Sequence, residues 1–267
     1  MDTPGGLFAL EGSLYVPSEF TRGPWRADAQ HGGPPAALLA HICQPEVDDD
    51  EFVAQFAVEL IRPVPLTRLS FSVSRHEVSS RVARVNAELA SKGEIVAQAS
   101  ALVLRKAELD PPDWVQPAKV APTPPSVDAR VEPPRWASGD LTTYHRNAVE
   151  HRFAEGTFRE PGPAVDWIRL RLPVIEGEET AELARIAAAA DFGSGISAVY
   201  AARSSFGLIN ANLVMTLHRP LVGEWVSLDS TTHVGPQGTG VGVTELGDVE
   251  GSLGVATQTL LGFRTKR

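Results

Sequence analysis

Cysteine, net positive charge and long apolar runs are scarce in this chain of 267 residues, and each scarcity excludes a class of protein. The single cysteine, Cys43, rules out an internal disulfide, and without a CxxC or Cys/His cluster we predict no metal site. The net charge of −9 argues against binding to nucleic acid or to an anionic membrane surface. No apolar run is long enough to insert into a membrane.

Signals for export and for several common enzyme classes are missing as well. The N-terminal residues lack the basic region and apolar stretch of a signal peptide, so we expect a cytoplasmic protein. The sequence contains no GxSxG, GxGxxG, GxxxxGK[ST] or HExxH motif. The sequence therefore lacks the motif residues of the usual serine hydrolases, dinucleotide-binding proteins, P-loop proteins and zinc proteases.

The chain does contain the same order of predicted elements twice. In the first half, a strand over Leu10–Phe20 precedes a helix over Pro34–Ile42, whose leading prolines suit a helix start. Alternation of apolar and polar residues then predicts four strands, at Phe52–Ile61, Leu69–Ser74, Arg84–Leu89 and Glu94–Arg105.

The second half repeats this order after a proline-rich stretch at Glu108–Pro134. Its helix is predicted over Glu178–Gly195, with an acidic first turn and with Gly193 as its stop. Its strands are predicted at His145–Ala154, Ala164–Leu172, Ile209–Leu217, Glu224–His233, Val241–Leu246 and Ser252–Arg264. We therefore divide the chain into an N-terminal half at 1–107, a linker at 108–140 and a C-terminal half at 141–267.

Direct comparison of the two halves supports a duplication. A shift of 157 positions aligns residues 62–89 with residues 219–246 at six identities in 28 positions. Average composition alone would give about two identities. After this block we place two inserted residues in the second copy.

The two copies differ where apolar positions of the first become polar in the second. Asn210 aligns with Val53, and Gln258 aligns with Ala99. A buried amide is either hydrogen-bonded within the fold or lines a site. Asp191, at the end of the alanine-rich helix, is a third candidate for a different reason, because the helix dipole disfavours a carboxylate there. An aspartate in that place either turns to solvent or is held in a cleft, and we predict a shared polar centre.

The loop before the first helix offers a complementary group. Gly32 and Gly33 leave backbone N–H groups unpaired at a helix start, where they can hold a carbonyl oxygen that becomes an oxyanion. His31 beside them either contacts a ligand or makes its hydrogen bonds with neighbouring residues.

Four segments of the chain carry a resemblance to a known family, and they are GPWRADAQHGGPPAALLA, AAAADFGSG, INANLVMTLHRP and VATQTLLGFR. Together they resemble the acyl-CoA thioesterases of the double-hotdog, type II (TesB-like) class. The resemblance implies an α+β double hotdog, in which each half wraps a long antiparallel sheet around a central helix. It also implies that Asp191 is the catalytic aspartate, Gln258 the catalytic glutamine, and Asn210 the polar residue that is often threonine in this family.

The resemblance implies hydrolysis of an acyl-CoA thioester to free fatty acid and CoA by water that Asp191 activates. Asn210 and Gln258 would hold the water and the carboxylate in line, and Gly33, with Gly32 and His31 nearby, would receive the thioester oxygen. Coenzyme A then enters as part of the substrate, and we expect no cofactor.

Two other functions fit the same groove. A non-catalytic acyl-CoA or acyl-lipid binding module would bind the same ligands without releasing thiol. An enoyl-CoA hydratase is disfavoured, because no Asp is followed closely by Asn-Pro and His. Arg62, Arg219 and Arg264 either meet CoA phosphates or, as is more common for arginines at strand ends, are solvated or ion-paired. Long hotdog sheets leave edges that other copies can cover, which is compatible with a homo-oligomer.

Overall fold

The computed structural model describes residues 5–24, 26–110, 112, 114–115, 141–200 and 206–264, so most of the predicted linker lies outside the described residues. Within them, eleven antiparallel strands form one sheet, and a two-stranded hairpin forms another. None of the described helices is long and apolar enough to cross a membrane.

In its described residues, the first half contains one α-helix, α1, beside six strands. Its elements are β1 (Phe8–Glu11), β2 (Leu14–Pro17), α1 (Gly33–Cys43), β3 (Glu51–Glu59), β4 (Ser70–Ser79), β5 (Val82–Ser91) and β6 (Glu94–Arg105). The predicted helix and the four strands after it are confirmed. The single strand predicted over Leu10–Phe20 is wrong, because Gly12 has a positive φ of 64° and turns the chain into the hairpin β1–β2.

The second half repeats this plan with additional short elements. They are a π-helical turn (Tyr144–Ala148), β7 (Val149–Glu155), β8 (Ala164–Leu170), α2 (Glu182–Ala190), α3 (Gly193–Ile196), β9 (Phe206–Asn210), β10 (Asn212–Leu217), β11 (Val226–Val234), β12 (Thr239–Asp248) and β13 (Gly251–Arg264). The strand predicted over Ile209–Leu217 is interrupted at Ala211, and the strand predicted from His145 begins at Val149.

The alanine-rich helix is shorter than predicted. The Glu178 N–H donates to the Ile175 carbonyl, and the Thr180 hydroxyl accepts from the Val174 N–H, so this segment turns and α2 begins at Glu182. Gly193 does not end the predicted helix. It begins α3, because α2 has already ended at Ala190.

The central strand pair confirms the duplication. Strands β3 and β10 are antiparallel, and Ala57 lies opposite Val214, its counterpart 157 positions later. Repeat-related residues lie opposite each other where an approximate two-fold axis crosses the pair. The sheet order is accordingly β4-β5-β6-β3 on one side and β10-β13-β12-β11 on the other, with β8 and β7 extending the second side.

Strand register corrects the self-alignment of the last strands. Val85 pairs with Ala101, and Gly242 pairs with Gln258, so the shift of 157 continues and no residues are inserted. Gln258 therefore corresponds to Ala101 rather than to Ala99. A two-residue slip keeps the same side chains on the same face, so the sequence pattern does not reveal it.

The two helices meet inside the curve of the sheet. Helix α1 packs against β5 and β6, α2 packs against β8 and β11, and the helices pack against each other. Every residue of α1 except His41 is buried. A Cβ on Gly33 would lie 2.8 Å from the Ala188 carbonyl oxygen, so glycine is needed for this close approach. The start of α1 is thereby placed beside the end of α2.

Candidate active site

Asp191 directly follows α2, and its side chain is buried with 4% exposure. Asn210, at the end of β9, donates through Nδ2 to Asp191 Oδ1 at 2.6 Å. His31 Nδ1 lies 2.8 Å from Asp191 Oδ2. These charge-assisted contacts replace water around the carboxylate and explain how it is tolerated at the negative end of a helix.

Gln258 fixes the backbone that carries Asp191. Its Nε2 donates to the Asp191 carbonyl oxygen at 3.0 Å and lies 3.5 Å from Asp191 Oδ1. Its Oε1 accepts from the Ser194 N–H at 2.8 Å. Because Asp191 and Ser194 lie on opposite sides of the junction between α2 and α3, the amide clamps that junction.

Gly32 and Gly33 approach this cluster from the other half. A Cβ on Gly32 would lie 2.7 and 2.8 Å from the two oxygens of the Asp191 carboxylate. Pro34 and Pro35 have no N–H, so the glycines supply the amides at this helix start. The Gly33 nitrogen lies 3.2 Å from His31 Nδ1.

His31 Nδ1 faces both the Gly33 N–H and the Asp191 carboxylate, and it can form a hydrogen bond with only one of them at a time. It accepts from Gly33 when it carries no proton, and it donates to Asp191 when it carries one. A bare ring nitrogen 2.8 Å from a carboxylate oxygen is repelled, whereas Nδ1–H makes a charge-assisted bond there. We therefore assign the proton to Nδ1, which leaves the Gly33 N–H available to another acceptor.

A cavity of about 860 Å³ opens beside the cluster, within the size range of small-molecule sites. Both halves line it, and His31, Gly32, Asp191 and Asn210 are among the described lining residues, whereas Gly33 and Gln258 are not. Large apolar side chains of both halves form its wall. They include Leu60, Ile61 and Val64 of the first half and Phe158, Phe192, Phe206, Leu208 and Leu261 of the second.

Two aromatic residues that the sequence reasoning missed support the histidine. The ring of Phe192 lies 4.7 Å from that of His31 and stacks on Tyr144 at 5.5 Å. Tyr144 donates its hydroxyl to the Ala188 carbonyl oxygen at 3.0 Å. Phe192 directly follows Asp191 within the segment AAAADFGSG, so the sequence offered a signal for it. Nothing around Tyr144 in the sequence indicates its role.

Burial keeps the neighbouring titratable groups neutral. It raises the pKa of Tyr144 well above its ordinary value, and the Asp191 charge adds to this shift. Burial also lowers the pKa of His145 to about 3, with contributions from His31 and His151. At neutral pH, neither Tyr144 nor His145 carries a charge.

Comparison with known proteins identifies the family. The profile of the acyl-CoA thioesterase C-terminal domain matches residues 110–261, and the profile of the N-terminal domain matches residues 21–104. The chain belongs to the acyl-CoA thioesterase family. This acyl-CoA thioesterase is accordingly a thioester hydrolase, as the sequence motifs indicated. A search of curated protein sequences gave no match.

Solved structures of similar shape show the fold of this thioesterase. A candidate thioesterase from Novosphingobium aromaticivorans aligns with a TM-score of 0.69 at 19% identity, covering 96% of this chain and 98% of that chain. Acyl-CoA thioesterase II TesB2 from Mycobacterium marinum aligns with a TM-score of 0.65 at 14% identity, covering 97% and 94%. A candidate thioesterase II from Thermobifida fusca aligns with a TM-score of 0.70 at 14% identity, covering 97% and 96%. The predicted double-hotdog fold is confirmed.

Proposed function

We propose that this thioesterase hydrolyses an acyl-CoA to a free fatty acid and CoA, with Asp191 as the general base. The observation that supports the proposal is the buried Asp191 carboxylate, which Asn210 and His31 hold at the wall of an apolar cavity. Asp191 would accept a proton from water as the water oxygen attacks the thioester carbonyl carbon. The tetrahedral intermediate then collapses, the C–S bond breaks, and CoA leaves as a thiolate.

Three residues would position the base. Asn210 and His31 each bind one oxygen of the Asp191 carboxylate, and Gln258 holds the backbone behind it. Such a base needs no rearrangement before it meets the water.

The negative charge that develops on the thioester oxygen requires a hydrogen-bond donor. The Gly33 N–H, which a protonated His31 Nδ1 does not engage, would donate to that oxygen, and the neighbouring Gly32 lines the cavity. CoA thiolate is a good leaving group, so in this mechanism the chain needs neither a metal nor another cofactor.

The test is release of CoA thiol from a series of acyl-CoA substrates from acetyl to palmitoyl, followed with a thiol reagent. Cys43 should give no background, because it is buried and burial raises its pKa to about 12. We expect Asp191→Asn to lower kcat by two orders of magnitude or more. Circular dichroism and thermal unfolding should show an unchanged fold. Asp229→Asn, which changes an exposed aspartate on β11, is the matched control.

Two results would count against the proposal in different ways. Near-normal hydrolysis by Asp191→Asn would remove Asp191 from its role. Saturable binding of acyl-CoA to the wild-type protein without any thiol release would support the non-catalytic binding module instead.

A further inference from the structure

The duplication provides an internal comparison for one pair of arginines. Arg62 and Arg219 are repeat-related, since they lie 157 positions apart in the register that the strands confirm. Arg219 makes a two-pronged ion pair with the buried Asp248, at 2.6 Å for each oxygen, and also donates to the Gly251 carbonyl at 2.9 Å. The Arg219 guanidinium is thus held by contacts within the fold.

Arg62 has no such anchor. The position that corresponds to Asp248 in the first copy is Ser91, whose hydroxyl lies 3.1 Å from that of Thr67. Arg62 instead pairs at 2.8 Å with Glu94, and both side chains are more than half exposed, at 57% and 65%. Exposed ion pairs of this kind contribute little to stability and exchange readily.

Arg62 also lines the cavity that holds Asp191, whereas Arg219 is not among the described lining residues. Arg26 lines the same cavity, and its partner is likewise exposed, since Arg26 pairs with Asp28 at 2.8 Å with exposures of 57% and 72%. In a chain with a net charge of −9, arginines outnumber acidic residues, three to two, among the described residues that line this cavity.

We propose that Arg62 and Arg26 bind the phosphate groups of the CoA part of the substrate. The inference rests on the proposed function, because it uses the cavity beside Asp191 as the substrate site. A guanidinium binds phosphate oxygens in a two-pronged manner, and losing an exposed carboxylate partner costs it little free energy. The phosphates would displace Glu94 and Asp28 from the two arginines.

The experiment compares two substrates with the same acyl group. Acyl-CoA carries the phosphates, whereas the S-acyl pantetheine thioester carries none. We expect Arg62→Ala to raise the ratio of KM for acyl-CoA to KM for acyl-pantetheine about tenfold. Arg26→Ala should raise the same ratio. Arg68→Ala is the matched control, because Arg68 is 62% exposed and pairs with Glu11 at 2.7 Å, but is not among the described residues lining the cavity.

A variant of the competing carboxylate tests the direction of the effect. Glu94→Gln removes the competing carboxylate, so it should lower KM for acyl-CoA and leave Arg62 in place. Added salt should weaken the preference for acyl-CoA in the wild type and should have little effect on the ratio in Arg62→Ala.

The outcomes separate this inference from the proposed function. If the wild type hydrolyses acyl-CoA and neither arginine variant changes the KM ratio, the phosphate site is overturned and the hydrolysis proposal stands. If the wild type releases no thiol, calorimetric titration with acyl-CoA tests the arginines directly. Equal affinity of the wild type and both variants, or no binding at all, would then overturn the site.

Discussion

At the scale of single residues, the lack of a side chain at Gly32 matters as much as the presence of one at Asp191. The Gly32 Cα comes from the first half and lies against a carboxylate of the second. Because Gly33 likewise has no side chain, the Ala188 carbonyl can lie close to its backbone. The site is therefore assembled by close contact between two helix ends that are distant in the chain.

Gly32→Ala should displace the Asp191 carboxylate, because the new methyl group would lie under 3 Å from both oxygens. We expect kcat to fall about a hundredfold, as is typical when a catalytic group moves by about 1 Å. Steady-state kinetics of thiol release provides the measurement.

The control for this variant is Gly195→Ala. Gly195 lines the same cavity, but a Cβ there meets no atom within 4 Å. If both variants lose activity equally, or if Gly32→Ala keeps full activity, the close contact is not required for turnover.

At the scale of elements, ion pairs anchor the strands of the first half. Glu51, which begins β3, accepts from both terminal nitrogens of Arg75 on β4 at 2.8 Å, and its side chain is 6% exposed. Hydrogen bonds from Arg75 lower the pKa of Glu51 to about 2, and the Asp48 N–H contributes. The pair connects two strands that are not neighbours in the sheet.

The stability of the fold should depend on this pair in acid. Because the folded pKa of Glu51 lies below its unfolded value near 4.5, the ionised form stabilises the folded state above about pH 4.5. That contribution, at most about 3 kcal/mol, is lost as the pH falls towards 2. We expect Glu51→Gln to lower the free energy of unfolding at pH 7, and the difference from wild type to shrink below pH 4.

Urea unfolding at a series of pH values measures this difference. Glu155→Gln, which changes an exposed glutamate on β7, should follow the wild type at every pH. A difference between Glu51→Gln and wild type that is constant with pH would contradict the linkage.

At the scale of the whole molecule, the two halves are joined by more than the covalent chain. Strands β3 and β10 pair directly, helices α1 and α2 pack together, and the Phe8 N–H of the first half donates to the Val174 carbonyl of the second at 2.9 Å. The division at 1–107, 108–140 and 141–267 stays a prediction.

After the chain is cut between the halves, the two fragments should therefore stay associated and active. A protease site can be inserted at a point within residues 116–134. After complete cleavage there, we expect the protein to keep its elution volume and most of its kcat. Gel filtration and thiol release provide the two measurements. The same protein without the inserted site, treated with the same protease, is the control. Separation of the two fragments in native buffer would show that the contacts between the halves do not suffice.

Among the described residues, β4 and β7 are the end strands of the long sheet, and such edges are places where another copy could pair. That the protein can form a homo-oligomer stays a prediction.

The sequence by itself determined the repeated plan of the molecule and the polar positions of the second copy. Alternating residues specify strands because one face of each strand is buried, and this local pattern is present at 82–91 and again, 157 positions later, at 239–248. Asn210 and Gln258 were found because a polar residue replaces an apolar one in the other copy.

Tertiary structure decided the rest, since the remaining questions concern atoms that are distant in the chain. Register alone showed that Gln258 corresponds to Ala101, because a slip of two residues leaves the facing pattern unchanged. The contact of His31 and Gly32 with Asp191 joins residues about 160 positions apart, and no local preference encodes it. The difference between Arg219, held by a buried aspartate, and Arg62, exposed at the cavity, likewise depends on which partners folding brings near.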